Sequence, residues 1–356
     1  MSRIFLAYLA TWNKFDIASM PAEKLTHVCY AFANICDSQV VLAPSLARGS
    51  EQLAQFEDKF KQLQTLKLQN AELKIMISIG GWGAEGFSDA ALNQQSRQEF
   101  ARSAVQFMCE RQLDGIDLDW EYPSNAMAGI KARTEDKGNF SLLLEEVRQA
   151  LDRQSDLECR QGSARYQLSI AAGAGQYYLD GVEIERVAQT CDFINLMTYD
   201  FYNGWATKAG HHANLYCSSL DPTGDSVDSA VQLFIDHGVS PAKLVLGCPL
   251  YGRSLKGVGR AGLGALGQAG SNAAPGFHKI MTELLPSNRF VRHWDEAAQA
   301  PWLFDGDEFI SYEDCESIER KGRYAKQLNL AGVMFWELSD DHHYALLNAL
   351  HDGFYS

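Results

Sequence analysis

Eight short runs of β-branched and other apolar residues recur along this chain, and turn-forming residues bound each of them. Polar or amphipathic segments with helical spacing separate most of the runs, for example at 51–68, 96–112, 139–154 and 226–237. Strands that alternate with helices pair in parallel, and eight such units close a (β/α)8 TIM barrel. The predicted strands are Ile4–Ala10, His27–Ala33, Leu73–Ile79, Gly115–Trp120, Gln167–Ala172, Phe193–Thr198, Lys243–Leu250 and Gly332–Leu338.

Most of the runs are apolar at nearly every position, as expected of strands that are buried on both faces. A doubly wound open sheet is the structural alternative. The length of 356 residues and the hydrophobic content of 46% exclude a disordered or fibrous chain, but they suit either one large barrel or two domains. The interval between positions 250 and 332 is the longest between two runs, which indicates an inserted subdomain. We therefore predict one barrel over residues 1–356 with a small insertion at 253–308.

The charge of the chain limits its partners. A formal net charge of -14 and the lack of any basic run argue against nucleic acid. No apolar stretch reaches the roughly 20 residues that span a bilayer, so we expect no membrane partner. The N-terminal apolar run lacks a basic start and a cleavage site, and we interpret it as a strand. The compartment stays open: the protein is either cytoplasmic or exported, with a leader removed or by a non-classical route.

Three features that suggest other chemistry receive structural interpretations. The eight cysteines lack a regular disulfide spacing, which favours reduced thiols, although Cys29 and Cys36 are close enough to pair in an exported protein. Residues 257–262 match the fingerprint GxGxxG, but more glycines follow where a dinucleotide fold needs a helix. His211–His212 and His342–His343 lack a third ligand at a useful spacing and are interpreted as loop histidines. We predict no metal and no cofactor.

The segment from Asp114 to Glu121 is the most informative part of the chain. Asp117, Asp119 and Glu121 are spaced by two, so on a strand they share one face, and apolar residues share the other. An antiparallel sheet would make this an ordinary wet face, but in a parallel barrel the acidic face points into the interior. Carboxyls crowded there must have at least one raised pKa. Glu121 ends the strand, where barrel active sites lie, and is the candidate general acid. Asp114 precedes the strand and is out of phase with the other three acidic residues. A structural or turn-capping role is therefore as plausible for Asp114 as a catalytic role.

This acidic row resembles the DGxDxDxE signature of the glycoside hydrolase family 18 chitinases. Residues 294–302 also resemble a small α+β insertion that one branch of that family carries before the last strand. The resemblance covers nearly the whole chain and implies a bacterial-type chitinase on a TIM barrel, with the insertion between strands 7 and 8. Further strand motifs of the family follow in order: Ser78-Ile-Gly80-Gly81-Trp82, Met197-Thr-Tyr199-Asp200-Phe201, Tyr251-Gly-Arg253 and Gly332-Val-Met334-Phe-Trp336.

The resemblance implies a retaining, substrate-assisted hydrolysis of β-1,4-linked N-acetylglucosamine polymers. Glu121 would act as general acid and base, while the acetamido oxygen of the bound sugar attacks and forms an oxazolinium ion. Asp119 would orient the acetamido group, and Asp117 would share a proton with Asp119. Tyr199 matches the position that holds the acetamido carbonyl, so these four residues are the catalytic candidates.

Sugars present apolar C–H faces, so a polysaccharide cleft needs aromatic side chains as well as hydrogen bonds. The resemblance assigns Trp336 to the floor beneath the reacting sugar, and Trp82 and Trp205 to flanking subsites. The other substrate-binding candidates are Tyr8, Phe32, Met197, Asp200, Tyr251 and Arg253. Structural support of the site is expected from Ser78, Gly80, Gly81 and Asp114. Core packing is expected of Trp12, Trp120 and Trp294.

Two other functions remain as alternatives. A non-catalytic chitin-binding lectin on the same barrel would need no terminal acid, and the presence of Glu121 argues against it. An endo-β-N-acetylglucosaminidase acting on N-glycans would use the same chemistry, but the insertion and the tryptophans Trp82 and Trp205 favour a linear chain. We expect a monomer whose partner is chitin or a chitooligosaccharide.

Overall fold

The computed structural model describes residues 3–13, 15–42, 51–221 and 224–356 of the chain. The strands in these ranges are β1 Ile4–Ala10, β2 His27–Cys36, β3 Gln39–Val41, β4 Lys74–Gly80, β5 Gly115–Asp119, β6 Gln167–Gly173, β7 Phe193–Met197, β8 Leu244–Pro249, β9 Arg253–Leu255, β10 Val291–Asp295, β11 Ala300–Phe304, β12 Phe309–Ser311 and β13 Gly332–Trp336. The helices are α1 Glu51–Thr65, α2 Phe87–Ala90, α3 Gln94–Glu110, α4 Asp136–Leu157, α5 Gln176–Leu179, α6 Ile184–Thr190, α7 Val227–Asp236, α8 Phe277–Lys279, α9 Cys315–Gln327 and α10 Ala345–Tyr355.

Eight parallel strands close into a barrel in the order β1, β2, β4, β5, β6, β7, β8 and β13. The barrel closes because β1 pairs with both β2 and β13, which places Ile4 opposite Gly332. A Cβ atom at Gly332 would lie 2.1 Å from the carbonyl oxygen of Ile4, so this pairing needs glycine. The predicted TIM barrel is confirmed, and the open doubly wound sheet is excluded.

The main hydrophobic core lies between the strands and the helices that surround them. On β5, Ile116 and Leu118 join this core, and Trp120 follows them in the same direction. The ring of Trp120 stacks on Phe87 with 5.2 Å between centroids, which confirms the core packing expected of this tryptophan. The alternate residues of β5 therefore face the barrel interior, which has a smaller core of its own that includes Tyr8.

Local signals in the sequence account for the starts of several helices. Asn93 and Ser96 form a reciprocal capping box at the start of α3, and Ser226 and Ser229 do the same at α7. Each box satisfies backbone N–H groups that the first turn of a helix leaves without a partner. In the described part of the chain, none of the helices is long and apolar enough to cross a membrane.

The insertion between β8 and β13 is confirmed as a separate small sheet. Its strands are antiparallel and run in the order β10, β11, β12, β9, so the sheet extends to Ser311, just past the predicted limit at 308. A small core of its own includes Phe290, Leu303 and Ile310. The glycines at 257–262 lie in an irregular loop with one 3-10 turn at Gly259–Ala261, in place of the helix of a dinucleotide fold.

The eight cysteines are all free thiols in the structure. Cys29 is buried and Cys36 is exposed, and both belong to the same strand, β2. Seven residues of extended chain span about 23 Å at roughly 3.3 Å per residue, far beyond the reach of a disulfide. A bond between these two cysteines is therefore excluded in this fold.

Candidate active site

A cleft of about 1080 Å³ opens at the carboxyl ends of the barrel strands. Parallel pairing brings these ends together, so residues far apart in sequence meet there. Most of the predicted site residues line this cleft: Tyr8, Phe32, Gly80, Gly81, Trp82, Asp119, Glu121, Met197, Tyr199, Asp200, Trp205, Tyr251, Arg253 and Trp336.

Asp117 lies beneath the cleft, fully buried in the barrel interior. Its Oδ2 accepts hydrogen bonds from the hydroxyls of Tyr8 at 2.9 Å and Ser78 at 2.8 Å. Its Oδ1 accepts from the Ser169 hydroxyl at 2.6 Å and the Asn195 amide at 3.2 Å. Burial raises the pKa of Asp117, while these four donors act in the opposite direction. Sequence reasoning missed Ser169 and Asn195, because one polar residue in an apolar strand carries no signal of its partner.

Asp119 and Glu121 follow Asp117 towards the cleft. Asp119 is 4% exposed, and its Oδ1 has no hydrogen-bonding partner among the described residues. Burial and the neighbouring charges of Glu121 and Asp117 raise the pKa of Asp119 well above its usual range. Burial also raises the pKa of Glu121 to about 7, with a hydrogen bond to Tyr122 opposing the shift and the charge of Asp200 adding to it. Glu121 is thus able to carry a proton near neutral pH.

Asp200 carries the opposite protonation preference. The guanidinium of Arg253 binds it through two hydrogen bonds, Nε to Oδ1 at 2.7 Å and Nη2 to Oδ2 at 2.7 Å. Burial alone would raise the pKa of Asp200, but His212 and Arg253 hold it well below its usual range. His212 is completely buried, so the interpretation of this residue as an ordinary loop histidine misses its place beside the cleft. Eleven residues of irregular chain separate His212 from Asp200, and no periodicity links them.

Three aromatic side chains form one end of the cleft, which we call the floor end: Trp12, Phe32 and Trp336. The rings of Phe32 and Trp336 stack with centroids 5.4 Å apart, and Trp12 stacks on Phe32 at 6.1 Å. The expectation that Trp12 packs in the core is wrong, because this side chain is 61% exposed and lines the cleft. Trp294 is not a core residue either. It lies half-buried on β10, where its indole N–H donates to Glu296 at 2.7 Å.

The other end of the cleft carries Trp82 and Trp205, which we call the rim pair. Their rings stack with centroids 5.4 Å apart and an angle of 29° between the planes. Tyr122 lies 6.2 Å from Trp82 and 5.2 Å from Tyr177, and both tyrosines also line the cleft. Sequence reasoning missed these tyrosines, although Tyr122 directly follows the acidic row.

The glycines at the end of β4 allow close approaches that shape the site. Gly80 and Gly81 have φ angles of 120° and 96°, in a region that other residues rarely adopt. A Cβ atom at Gly80 would lie 2.1 Å from the carbonyl oxygen of Asp119, and one at Gly81 would lie 2.6 Å from the ring of Phe32. Both glycines therefore let the strand end pack against residues of the cleft.

Asp114 lies at the other end of β5, away from the cleft. Its Oδ2 accepts hydrogen bonds from the Lys67 ammonium at 2.6 Å and the Ile75 amide at 2.9 Å. These contacts tie the start of β5 to its neighbours. Across the described ranges, no group of three or more His, Cys, Asp or Glu side chains is arranged to hold a metal ion.

Comparison with known proteins shows the family to which the chain belongs. Residues 4–341 match the family model of the glycosyl hydrolases family 18. The chain is 33% identical to Chitinase A1 of Niallia circulans over 97% of its own length and 57% of that protein. It is 34% identical to Chitinase 1 of Aphanocladium album over 93% of its own length and 80% of that protein.

A solved structure resembles the whole chain. It is described as a family 18 N-acetylglucosaminidase from Paenibacillus barengoltzii, with 42% identity and a TM-score of 0.89 over 99% of this chain and 100% of the other. The chain therefore belongs to glycosyl hydrolase family 18. The expected class of enzyme, a chitinase-type glycosidase of that family, is confirmed.

Proposed function

We propose that the protein hydrolyses β-1,4-linked N-acetylglucosamine polymers with retention of configuration, and that Glu121 is the general acid and base. The observation that carries this proposal is the carboxyl row of β5. Glu121, with a pKa of about 7, faces a cleft beside Asp119, whose Oδ1 is buried without a partner among the described residues. An acid that keeps its proton at neutral pH is what protonation of a glycosidic oxygen requires.

The first step breaks the glycosidic bond. Glu121 gives its proton to the bridging oxygen of the glycosidic bond. The acetamido carbonyl oxygen of the sugar that carries the anomeric carbon of this bond then attacks that carbon. The bond to the leaving sugar breaks, and a cyclic oxazolinium ion forms. Glu121, now a carboxylate, then takes a proton from a water molecule that attacks the same carbon. Two inversions at one carbon give net retention.

Asp119 would stabilise the positive charge of the oxazolinium ion. Its free Oδ1 is suited to accept the acetamido N–H, which also turns the carbonyl oxygen towards the anomeric carbon. Asp117 shares the proton of Asp119 in this proposal, so the pair keeps one proton and one negative charge. Fixed groups of this kind do not need to reorganise during the reaction, which makes their electrostatic contribution large.

The remaining residues would hold the sugar. Burial raises the pKa of Tyr199 well above its usual range, so its hydroxyl remains a donor for the acetamido carbonyl. Asp200 stays ionised and presents acceptors to sugar hydroxyls, with Arg253 neutralising its charge. Trp336 gives the apolar face of the sugar a ring on which to stack.

The test is product analysis on chitohexaose, by mass spectrometry for product length and by ¹H NMR for the anomer that forms first, and, in parallel, mass spectrometry on a glycoprotein with N-glycans. Products dominated by the disaccharide, formed with the β-anomer first, support the proposal. Released N-glycans without chitohexaose turnover would favour an endo-β-N-acetylglucosaminidase. Oligosaccharide binding without any cleavage would favour a lectin and contradict the proposed role of Glu121.

One comparison favours a second candidate function. The structure from Paenibacillus barengoltzii is described as an N-acetylglucosaminidase and matches this chain from end to end. Such an enzyme would release single N-acetylglucosamine units by the same chemistry. Monosaccharide as the first product from chitohexaose, before any disaccharide accumulates, would decide for this candidate.

A further inference from the structure

His212 takes no part in the proposed reaction, yet it lies beside Asp200, which binds the sugar in that proposal. The side chain is completely buried, and its ring packs 5.4 Å from the ring of Tyr251. Its Nδ1 lies 3.6 Å from Oδ1 of Asp200, just beyond hydrogen-bonding distance. Neither ring nitrogen has a hydrogen-bonding partner within the described ranges. A buried donor without an acceptor is unfavourable, and Asp200 provides the nearby acceptor.

The backbone of His212 is fixed from two sides. Its carbonyl oxygen accepts the N–H of Phe201, the residue after Asp200, at 3.1 Å. Its own N–H donates to the Ser311 hydroxyl at 3.0 Å, and Ser311 ends strand β12 of the insertion. The next carbonyl, that of Ala213, accepts a hydrogen bond from the buried ammonium of Lys321. The imidazole is therefore held against Asp200 by both the barrel and the insertion.

The charges around His212 favour a neutral ring. Burial lowers its pKa, and the cations Arg253 and Lys321 act in the same direction, while Asp200 opposes them. A neutral imidazole has one N–H to donate. Asp200 itself has a φ angle of 61°, a left-handed conformation that is uncommon for residues other than glycine. Contacts from its surroundings are needed to hold it there.

We propose that His212 is a positioning residue that donates a hydrogen bond from Nδ1 to Oδ1 of Asp200 and so aims this carboxylate at the sugar. Arg253 holds the carboxylate through two hydrogen bonds from its guanidinium group. The hydrogen bond from His212 holds the carboxylate from a second side. The inference rests on the proposed function in that Asp200 contacts the substrate. It also gives the insertion a role in the site, because Ser311 holds the residue that holds Asp200.

Three substitutions separate the donor from the shape of the side chain. His212→Asn places an amide nitrogen near the position of Nδ1, His212→Gln places it near Nε2, and His212→Leu removes both donors at similar volume. We expect His212→Leu and His212→Gln to lower kcat/KM on chitotetraose by about tenfold, mostly through kcat, because orientation matters most as charge develops. His212→Asn should stay within about threefold of the parent enzyme. Thermal unfolding of each variant reports any loss of structure.

A double-mutant cycle with Asp200→Ala tests whether His212 acts through Asp200. If it does, His212→Leu has little further effect in the Asp200→Ala background, because that variant leaves no acceptor for the contact. An equal loss in both backgrounds would assign His212 a merely structural role and overturn the inference. A loss in His212→Asn as large as in His212→Leu would overturn it as well.

One readout does not depend on turnover. In ¹⁵N-histidine-labelled protein, the imidazole shifts show which nitrogen of His212 carries the proton. The inference requires a protonated Nδ1 whose shift moves in Asp200→Asn, and an unprotonated Nδ1 contradicts it. Should the parent enzyme fail to cleave any N-acetylglucosamine oligosaccharide while this resonance is present, the proposed function fails and the His212–Asp200 contact stands.

Discussion

The two ends of the cleft are both aromatic, but the protein builds them differently. At the floor end, Phe32 belongs to β2 and Trp336 is the last residue of β13, so barrel strands carry these rings. At the other end, Trp82 and Trp205 lie in loops beyond β4 and β7, and they contact each other across the cleft. Rings stacked at 5.4 Å leave no room for a sugar between them, so substrate must use another face of the rim pair or separate it. Barrel strands thus position Phe32 and Trp336 of the floor end, whereas two loops position the rim pair.

The largest effect is expected from a variant that removes the proposed catalytic acid and leaves both aromatic ends of the cleft unchanged. Glu121→Gln should lower hydrolysis of chitohexaose by several orders of magnitude, because the amide has no acidic proton to give to the glycosidic oxygen. Binding of the oligosaccharide, measured by calorimetry, should be nearly unchanged, since neither aromatic end is altered. Glu99→Gln, at a partly exposed carboxyl on α3 outside the cleft, is the matched control and should behave as the parent enzyme. Undiminished turnover in Glu121→Gln would refute the mechanism.

Loss of the floor end should be the next largest effect. Trp336→Ala removes the ring that stacks on Phe32 and would carry the reacting sugar. A central aromatic contact is often worth about 2 kcal/mol or more, so we expect kcat/KM to fall by roughly 30-fold or more. Steady-state kinetics on chitotetraose measure this change. A loss smaller than that of the rim variants would reverse the order of importance that we assign to the two ends.

The pH dependence of hydrolysis should come from the carboxyl groups between the two aromatic ends of the cleft, because the aromatic side chains carry no charge. Glu121, with a pKa of about 7, must be protonated in order to act as the acid. We expect kcat/KM to fall about tenfold per pH unit above this value. Oligosaccharide binding to Glu121→Gln should stay flat between pH 6 and 8. A rate profile that is also flat in this range would show that another group supplies the proton.

The smallest effect is expected at the rim pair. Trp205→Ala should raise KM for long oligosaccharides several-fold and leave kcat nearly unchanged, the pattern of a residue that binds ground state and transition state alike. Its stability should change by less than about 0.5 kcal/mol, because the side chain is 58% exposed. Trp82→Ala should match it, and chitobiose derivatives too short to reach both ends should be unaffected. A large fall in kcat would place the rim pair in the chemistry itself.

The parts of the molecule that sequence predicts well are those with a short-range pattern. The inward acidic row follows from the two-residue repeat of β5 once a parallel barrel is assumed, whereas the place of Trp336 in the cleft follows from the resemblance to the family. Trp12 shows the limit of this reasoning. It lies just beyond β1, and its exposure is set by Phe32 and Trp336 on neighbouring strands rather than by its own neighbours in sequence.

His212 shows a second limit. A histidine in an irregular segment has no periodicity to indicate its direction, and its neighbours Asp200 and Ser311 are 12 and 99 residues away in sequence. Only the closure of the barrel and the docking of the insertion bring the three together. Asp117 accepts hydrogen bonds from four donors, on β1, β4, β6 and β7, and two of these donors, Ser169 and Asn195, are hidden in the sequence in the same way.

Those four donors have an evolutionary consequence. One carboxylate that binds four separate strands makes the interior of the barrel depend on a charge that is expensive to bury. A neutral amide at position 117 would relieve that cost and would be favoured wherever selection acts on thermal stability alone. In a barrel of this kind that no longer needs turnover, we therefore expect a neutral residue at position 117 to be tolerated.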